Sequence, residues 1–245
     1  FARLDRRRDL LAAVDSCRRL GDTPAVEALG VFQQKALELL TSTRTRDAFD
    51  IARESESTRK RYGEHLFGSC LLAARRLVES GSRFVGLTFE SQLNGKIGAG
   101  QWDTHGNNFN AMRSKLPPLS RKLTALIEDL EARGMIDDVI IMMSGEFGRT
   151  PMFQGKGSTA GRDHHIRAFS MWLAGGGIKG GVTHGETDEL GYHATQDRVH
   201  VRDLHATMLY LLGIDSQQFT YRFQGLNARL TGVEDEAHVV KSVVA

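Results

Sequence analysis

The chain is poor in cysteine, in long apolar runs and in net charge. Its two cysteines, Cys17 and Cys70, fall in stretches with helical periodicity, so we expect structural thiols and no disulfide framework. No apolar run approaches the roughly 20 residues that a membrane-spanning helix needs, so no membrane span is expected. The net charge of +2 is too small to favour nucleic acid or an anionic membrane as the main partner.

Several common catalytic signatures are also missing. The sequence has no Gly-x-Ser-x-Gly nucleophile elbow, no glycine-rich phosphate loop that ends in Lys-Ser/Thr, and no Cys-x-x-Cys pair. With 40% hydrophobic and 25% charged residues in a chain of 245, the composition is that of a globular protein with one large domain or two modest ones. The chain begins at Phe1, and we interpret it as a fragment or a processed product.

Hydrophobic periodicity predicts two regions of different character. Residues 1–80 are predicted to be helical, and Gly81 ends the last of these helices. A later helix is predicted over 110–133, interrupted or started anew near Pro117-Pro118, and another over 203–212 with Asp203 as its N-cap. Short apolar or β-branched runs predict strands at 83–89, 139–143, 168–173 and 182–186. The remaining expectations are loops at 92–101 and 145–163, a turn or hairpin at 221–230, and a short C-terminal helix.

The alternation of strands and helices predicts an α/β fold. We expect a mostly parallel sheet flanked by helices on both faces, because a continuous apolar run such as 139–143 is typical of a central parallel strand. The expected organisation is a helical segment of residues 1–80 that packs on a sheet domain of residues 81–245. In such sheets ligands bind beyond the carboxyl ends of the strands.

Histidine and carboxylate residues concentrate in the predicted loops. Asp103-Thr104-His105 offers two ligands two residues apart, which can hold one divalent ion if the loop bends, as Gly106 permits. The alternative is an Asx-type turn with an exposed histidine.

Glu146 follows the apolar run 139–143 directly. A carboxylate there is costly unless it is exposed in a cleft, paired or bound to metal. Two interpretations stay open: a local salt bridge with Arg149, or a metal ligand at Glu146 with Arg149 binding an anionic substrate through its guanidinium group.

The densest cluster is Gly161-Arg162-Asp163-His164-His165. Adjacent residues on a strand point to opposite sides, so we expect only one of His164 and His165 to bind an ion. Asp163 is a candidate to orient a histidine through its second ring nitrogen, and a polar loop over a strand end is the alternative. The other histidines are expected to lie outside the site; they are His65, His184, His193, His200, His205 and His238.

Together these segments resemble the alkaline phosphatase superfamily, which includes sulfatases. Asp103 and His105 resemble its Asp-x-x-x-His metal pair, Glu146 stands where its Asp-His-Gly strand end has aspartate, and His164 or His165 resembles its later metal histidine. More specific is the resemblance to a bacterial, sulfatase-like family known as domain of unknown function 1501, which covers nearly the whole chain. It rests on Trp-Asp-Thr-His-Gly at 102–106, Gly-Glu-Phe-Gly-Arg-Thr-Pro at 145–151 and Gly-Arg-Asp-His at 161–164.

The resemblance implies a metal-dependent hydrolase that acts on a small anionic phosphate or sulfate ester. Asp103, His105 and His164, with His165 as the alternative, would hold one divalent ion, which could be zinc, calcium, magnesium or manganese. Glu146 would contribute to a second ion, and Arg149 would neutralise the substrate. Family resemblance also implies an exported, periplasmic or envelope-associated protein.

Two departures from the superfamily pattern keep a second function open. Phe147 stands where the superfamily has a histidine ligand. The superfamily's nucleophile and first metal aspartate belong to an N-terminal half that we expect to precede Phe1, so no nucleophile is assigned. The alternative is therefore a non-catalytic member that keeps a metal-binding or partner-binding site. A phosphoglycerate mutase is less favoured, because no phosphoserine site is found.

Overall fold

The computed structural model describes residues 5–7, 9–10, 42–89, 102–232 and 236–245. The chain divides into two compact units, one of residues 1–56 and 72–86 and the other of residues 57–71 and 87–245. The helices predicted between residues 11 and 41, with Cys17, and the loop predicted at 92–101 lie outside the described residues. The domain boundary expected at residue 80 stays a prediction.

Helices account for most of the regular structure that is described. The α-helices are α1 Thr43–Phe49, α2 Glu56–Tyr62, α3 Leu66–Glu79, α4 Asn108–Ala132 and α5 Val201–Leu211, and residues 5–7 and 9–10 are also helical. Single 3₁₀ turns lie at Ile51–Arg53, Ile136–Asp138, Gly157–Thr159 and Lys241–Val243. In the described part of the chain, no helix combines the length and the apolarity needed to cross a bilayer.

The first unit is organised around a buried arginine. The side chain of Arg75, on α3, is 0% exposed and pairs with Glu54 at 2.9 Å and with Glu79 at 2.6 Å. Arg76 beside it donates hydrogen bonds to the carbonyl oxygens of Ala48 (3.0 Å) and Asp47 (2.6 Å) at the end of α1. Because a buried cation is costly unless it is paired, these contacts hold α1 and the second half of α3 together.

The second unit has its core where α2 and the first half of α3 meet α4. Tyr62 and Leu130 are each 1% exposed, and the Tyr62 hydroxyl donates a 2.8 Å hydrogen bond to Asp129 on α4. The Lys122 ammonium lies 5.9 Å from the centre of the Phe67 ring, and burial lowers the pKa of Lys122. This core packs against the C-terminal half of α4, and the opposite, N-terminal end of that helix adjoins the motif residues described below.

All described strand pairing is antiparallel and two-stranded. β1 Ile141–Met143 pairs with β4 Trp172–Ala174, β2 Gly148–Arg149 with β3 His164–His165, β5 Glu186–Thr187 with β6 Ala194–Gln196, and β7 Thr220–Phe223 with β8 Leu226–Arg229. The prediction of an α/β fold with a mostly parallel sheet flanked by helices is therefore wrong for the described residues.

Hydrophobic periodicity does not predict the direction in which two strands pair. An apolar run indicates burial, but it names neither a partner nor a direction. The connection from residue 144 to residue 171 is long enough for a parallel crossover, yet β1 and β4 run antiparallel. Met142 and Met143 are 41% and 39% exposed, so this run is not the doubly covered central strand that we expected.

Other elements match their predictions to different degrees. The helices α4 and α5 and the hairpin β7–β8 are confirmed, and the hairpin turns at Gln224 and Gly225, both with positive φ as a two-residue turn requires. No strand forms at 83–89, and the strand predicted at 182–186 is reduced to β5. The pair Pro117-Pro118 lies inside one continuous helix. His200, not Asp203, is the N-cap of α5, with Asp203 completing the capping box.

Candidate metal centre

A short loop before α4 presents Asp103 and His105. Thr104, between them, is buried, and its hydroxyl donates a 2.5 Å hydrogen bond to Asn108 Oδ1 at the start of the helix. Asn107 then adopts a left-handed φ of 54°, so the backbone turns sharply into α4. With Thr104 turned inward, the flanking side chains of Asp103 and His105 stay exposed.

This loop is fastened to the segment that contains His164. Three backbone hydrogen bonds of 2.7, 3.0 and 3.1 Å join residues 104–108 to residues 159–162. Gly161 lies so close to the loop that a Cβ there would overlap the backbone of His105 and Gly106. The distance between the two halves of the site is therefore set by main-chain packing.

The register of β2 and β3 decides which side chains face the loop. Arg149 is opposite His164, and Gly148 is opposite His165, so Arg149 and His164 lie on the same face. His165 points to the other face, where it is 5% exposed and its Nε2 lies 2.5 Å from the Tyr192 carbonyl oxygen. The alternation of strand side chains thus separates the two adjacent histidines.

Asp103, His105 and His164 converge around one carboxylate oxygen. Oδ1 of Asp103 lies 2.8 Å from Nε2 of His164 and 3.0 Å from Nε2 of His105. The two Nε2 atoms are 3.2 Å apart. Among the described residues, this is the one group of three histidine, cysteine or acidic side chains whose ligand atoms all lie within 4.8 Å of one another.

Arg149 completes the charge balance at the cluster. Its Nη1 donates a 2.7 Å hydrogen bond to Asp103 Oδ1. The hydrogen bond with His164 and then that with Arg149 lower the pKa of Asp103 to about 2. The carboxylate is therefore ionised near neutral pH, so it could act as an anionic metal ligand without first losing a proton.

The donor set fits a divalent cation. Two imidazole nitrogens and one carboxylate oxygen are the ligands of many zinc and other transition-metal sites. Ligand atoms around such an ion are separated by about 3 Å in octahedral and about 3.4 Å in tetrahedral geometry, close to the 2.8, 3.0 and 3.2 Å of this triangle. Three protein ligands leave coordination positions for water or substrate.

The remaining predicted site residues lie around this cluster or outside it. Glu146 is exposed on the connection between β1 and β2 and is not part of the group. Arg149 pairs with Asp103 and not with Glu146 as one interpretation had it. Asp163 Oδ1 accepts a 2.7 Å hydrogen bond from the backbone of His164 and lies 3.6 Å from Nδ1 of His105.

The chain was also compared with known proteins. The family described as "Protein of unknown function (DUF1501)" matches residues 1–244. The chain belongs to the DUF1501 family. The comparison with curated proteins and the comparison with solved structures give no match.

In this DUF1501 chain, two side chains that contact His105 and His164 were missed by sequence reasoning. Gln154 Oε1 lies 2.7 Å from Nδ1 of His105, and the Phe147 ring centre lies 4.3 Å from that of His164. Phe147 was noted only as a missing ligand, whereas it covers one side of His164. Nothing in the sequence around Gln154 indicated a contact with a residue so distant along the chain.

The histidines expected to lie outside the site have other surroundings or are exposed. Nδ1 of His184 lies 3.0 Å from the Ser242 hydroxyl. His200 caps α5, and the backbone of His193 donates a 3.0 Å hydrogen bond to Asp188. His205 is exposed on α5, which makes it a useful control position.

Proposed function

We propose that this chain carries the metal centre of a divalent-metal-dependent hydrolase of phosphate or sulfate esters. The observation that supports the proposal most is the convergence of Asp103, His105 and His164 beside the guanidinium of Arg149. The ligand set suits zinc better than calcium, magnesium or manganese, because imidazole is a good ligand for zinc and the other three ions prefer oxygen ligands.

The residues of the centre have separate roles in this proposal. Asp103, His105 and His164 would hold the ion, which when bound polarises the ester's phosphoryl or sulfuryl oxygen and lowers the pKa of the attacking group. Arg149, half-buried beside the ligands, would orient the anionic substrate through forked hydrogen bonds. Its present bond to Asp103 Oδ1 at 2.7 Å uses one donor, and a guanidinium group has five.

The first experiment tests the metal centre itself. Chelator-treated full chain is titrated with Zn²⁺, Mn²⁺, Mg²⁺ and Ca²⁺ by isothermal calorimetry, with Asp103→Ala as the test variant and His205→Ala as the matched control. We expect saturable binding of one ion that Asp103→Ala abolishes and His205→Ala leaves unchanged. Equal binding by wild type and Asp103→Ala, or no binding at all, would contradict the proposed centre.

The second experiment tests the reaction. Hydrolysis of p-nitrophenyl phosphate and p-nitrophenyl sulfate is measured with metal and with excess chelator. We expect turnover of one ester that chelation removes, and a raised KM in Arg149→Met but not in Arg222→Met, because Arg222 is an exposed arginine on β7.

A non-catalytic metal-binding function is the second candidate, and a specific observation favours it. Thr104 lies between Asp103 and His105 in the sequence and is buried. Its hydroxyl is hydrogen-bonded to Asn108, so it is not a free nucleophile. Phe147 supplies a ring and no ligand atom beside His164. Metal binding with no turnover of either ester would favour this candidate.

The order of the motifs along the chain supports a distant, sulfatase-like relation to the alkaline phosphatase superfamily. Asp103 and His105 come first, the Glu146–Arg149 segment follows, and His164 comes last, as in the superfamily pattern. The antiparallel strand pairs give this relation no support, so it rests on the motifs alone.

A further inference from the structure

Gln154 is the closest polar neighbour of His105 outside the ligand triangle. Its Oε1 lies 2.7 Å from Nδ1 of His105, whereas the Asp163 carboxylate lies 3.6 Å from the same nitrogen. Asp163 Oδ1 already accepts a 2.7 Å hydrogen bond from the backbone of His164. The partner of His105 Nδ1 is therefore Gln154, and not the aspartate that the motif suggested.

This contact favours one tautomer of His105 when an ion occupies the cluster. An amide oxygen only accepts hydrogen bonds, so Nδ1 of His105 carries the proton and donates it to Gln154 Oε1. In the neutral imidazole the lone pair then lies on Nε2. Nε2 is the atom 3.0 Å from Asp103 Oδ1 and 3.2 Å from Nε2 of His164, so the lone pair is directed into the cluster.

The backbone holds Gln154 firmly in this position. Gln154 and Gly161 exchange two backbone hydrogen bonds, of 2.8 and 2.7 Å, and Gly161 packs directly on the backbone of His105. Arg162 Nη1 donates to the carbonyl oxygens of Thr150 (2.7 Å) and Pro151 (2.8 Å), which closes the loop that leads to Gln154. The Gln154 side chain therefore extends from a segment whose backbone is held in place by hydrogen bonds.

We propose that Gln154 is a positioning residue of the metal centre, which holds His105 in the tautomer and ring orientation that present Nε2 to the ion. The inference rests on the proposed metal centre and adds to it a residue that is not a ligand. Metal-binding histidines commonly use their second nitrogen in this way, and loss of the partner weakens metal affinity by about 10- to 100-fold.

Two variants separate a positioning role from a structural one. Gln154→Leu removes the acceptor, and Gln154→Glu keeps an oxygen acceptor at the same length. Gln218→Leu, at an exposed glutamine outside the cluster, is the matched control. Zn²⁺ affinity is measured by calorimetry and thermal unfolding by calorimetric scanning. Long-range ¹H–¹⁵N NMR of the Zn²⁺-loaded chain at neutral pH reports which nitrogen of His105 carries the proton.

We expect Gln154→Leu to weaken Zn²⁺ binding by about 10- to 100-fold with an unchanged unfolding temperature. Gln154→Glu should retain wild-type affinity or exceed it, and the wild-type spectrum should show the Nδ1–H tautomer. A Gln154→Leu affinity within twofold of wild type, a loss that Gln154→Glu does not rescue, or an Nε2–H tautomer in the wild type would overturn this inference alone. If the wild-type chain bound no Zn²⁺, the metal centre and the inference would both fall.

Discussion

Replacement of Gly161 by alanine is the most direct test of how the two halves of the site are held together. A Cβ at this position would overlap the carbonyl group of His105 and the backbone nitrogen of Gly106. All of these are main-chain atoms, which cannot rotate away as a flexible side chain would. The chain must therefore separate residues 104–108 from residues 159–162.

The size of the effect follows from what that separation breaks. Three backbone hydrogen bonds of 2.7, 3.0 and 3.1 Å cross this junction, and each contributes about 0.5–1.5 kcal/mol net. Overpacking in itself commonly costs about 1–3 kcal/mol. Since separation relieves the overlap as it breaks the bonds, the two costs are alternatives, and we expect a loss of about 1.5–3 kcal/mol, the range in which they agree. Metal affinity should fall as well, because His105 moves away from His164.

Gly180→Ala is the control for this substitution. No heavy atom lies within 4 Å of a Cβ built on Gly180, and its φ is outside the left-handed region, so the change should alter stability by no more than about 1 kcal/mol. Urea unfolding followed by circular dichroism gives the free energy of unfolding of wild type and both variants, and calorimetry gives their Zn²⁺ affinity. If Gly161→Ala is as stable as Gly180→Ala and binds Zn²⁺ equally well, the main-chain account of the site is refuted.

Three further predictions concern stability and pH. Leu130→Ala should lower the free energy of unfolding by about 2–5 kcal/mol in urea titrations, because this leucine is 1% exposed in the core of the second unit. Tyr62→Phe should cost about 1.5–3 kcal/mol in the same assay, since it leaves the buried Asp129 without a 2.8 Å hydrogen bond, whereas Tyr210→Phe, at an exposed tyrosine, should be nearly neutral. The pKa of Asp103 lies at about 2, below its usual 3.8. The contribution of this carboxylate to the stability of the metal-free chain is therefore present above about pH 4 and is lost as the pH falls toward 2. A carboxyl ¹³C titration with a midpoint near 4 would contradict the hydrogen bonds to His164 and Arg149.

The helices and the motif residues were largely accessible to sequence reasoning. The apolar spacing of Leu119, Leu126 and Leu130 marks one face of α4, and these leucines are buried. The opposite orientation of His164 and His165 followed from the two-residue period of a strand, and the structure has one exposed and the other buried. Local rules were sufficient in these cases, because the deciding interactions lie within a few residues along the chain.

Long-range partners were not accessible in the same way. The pairing of Arg149 with Asp103, in place of Glu146, joins residues 46 positions apart, and the contact of Gln154 with His105 joins residues 49 apart. The antiparallel direction of β1 and β4 is of the same kind, because the apolar character of residues 139–143 is equally compatible with either direction.

The sequence by itself thus determined which residue types are available for chemistry and which helices form, since periodicity, turn residues and motif composition are local properties. Only the tertiary structure decided that His105 and His164 meet at the Asp103 carboxylate. It also decided that Arg149 contacts Asp103 and that Gln154 contacts His105. The physical reason is that those contacts depend on strand register and on the close approach of the main chain at Gly161, and neither is encoded in any one segment of the chain.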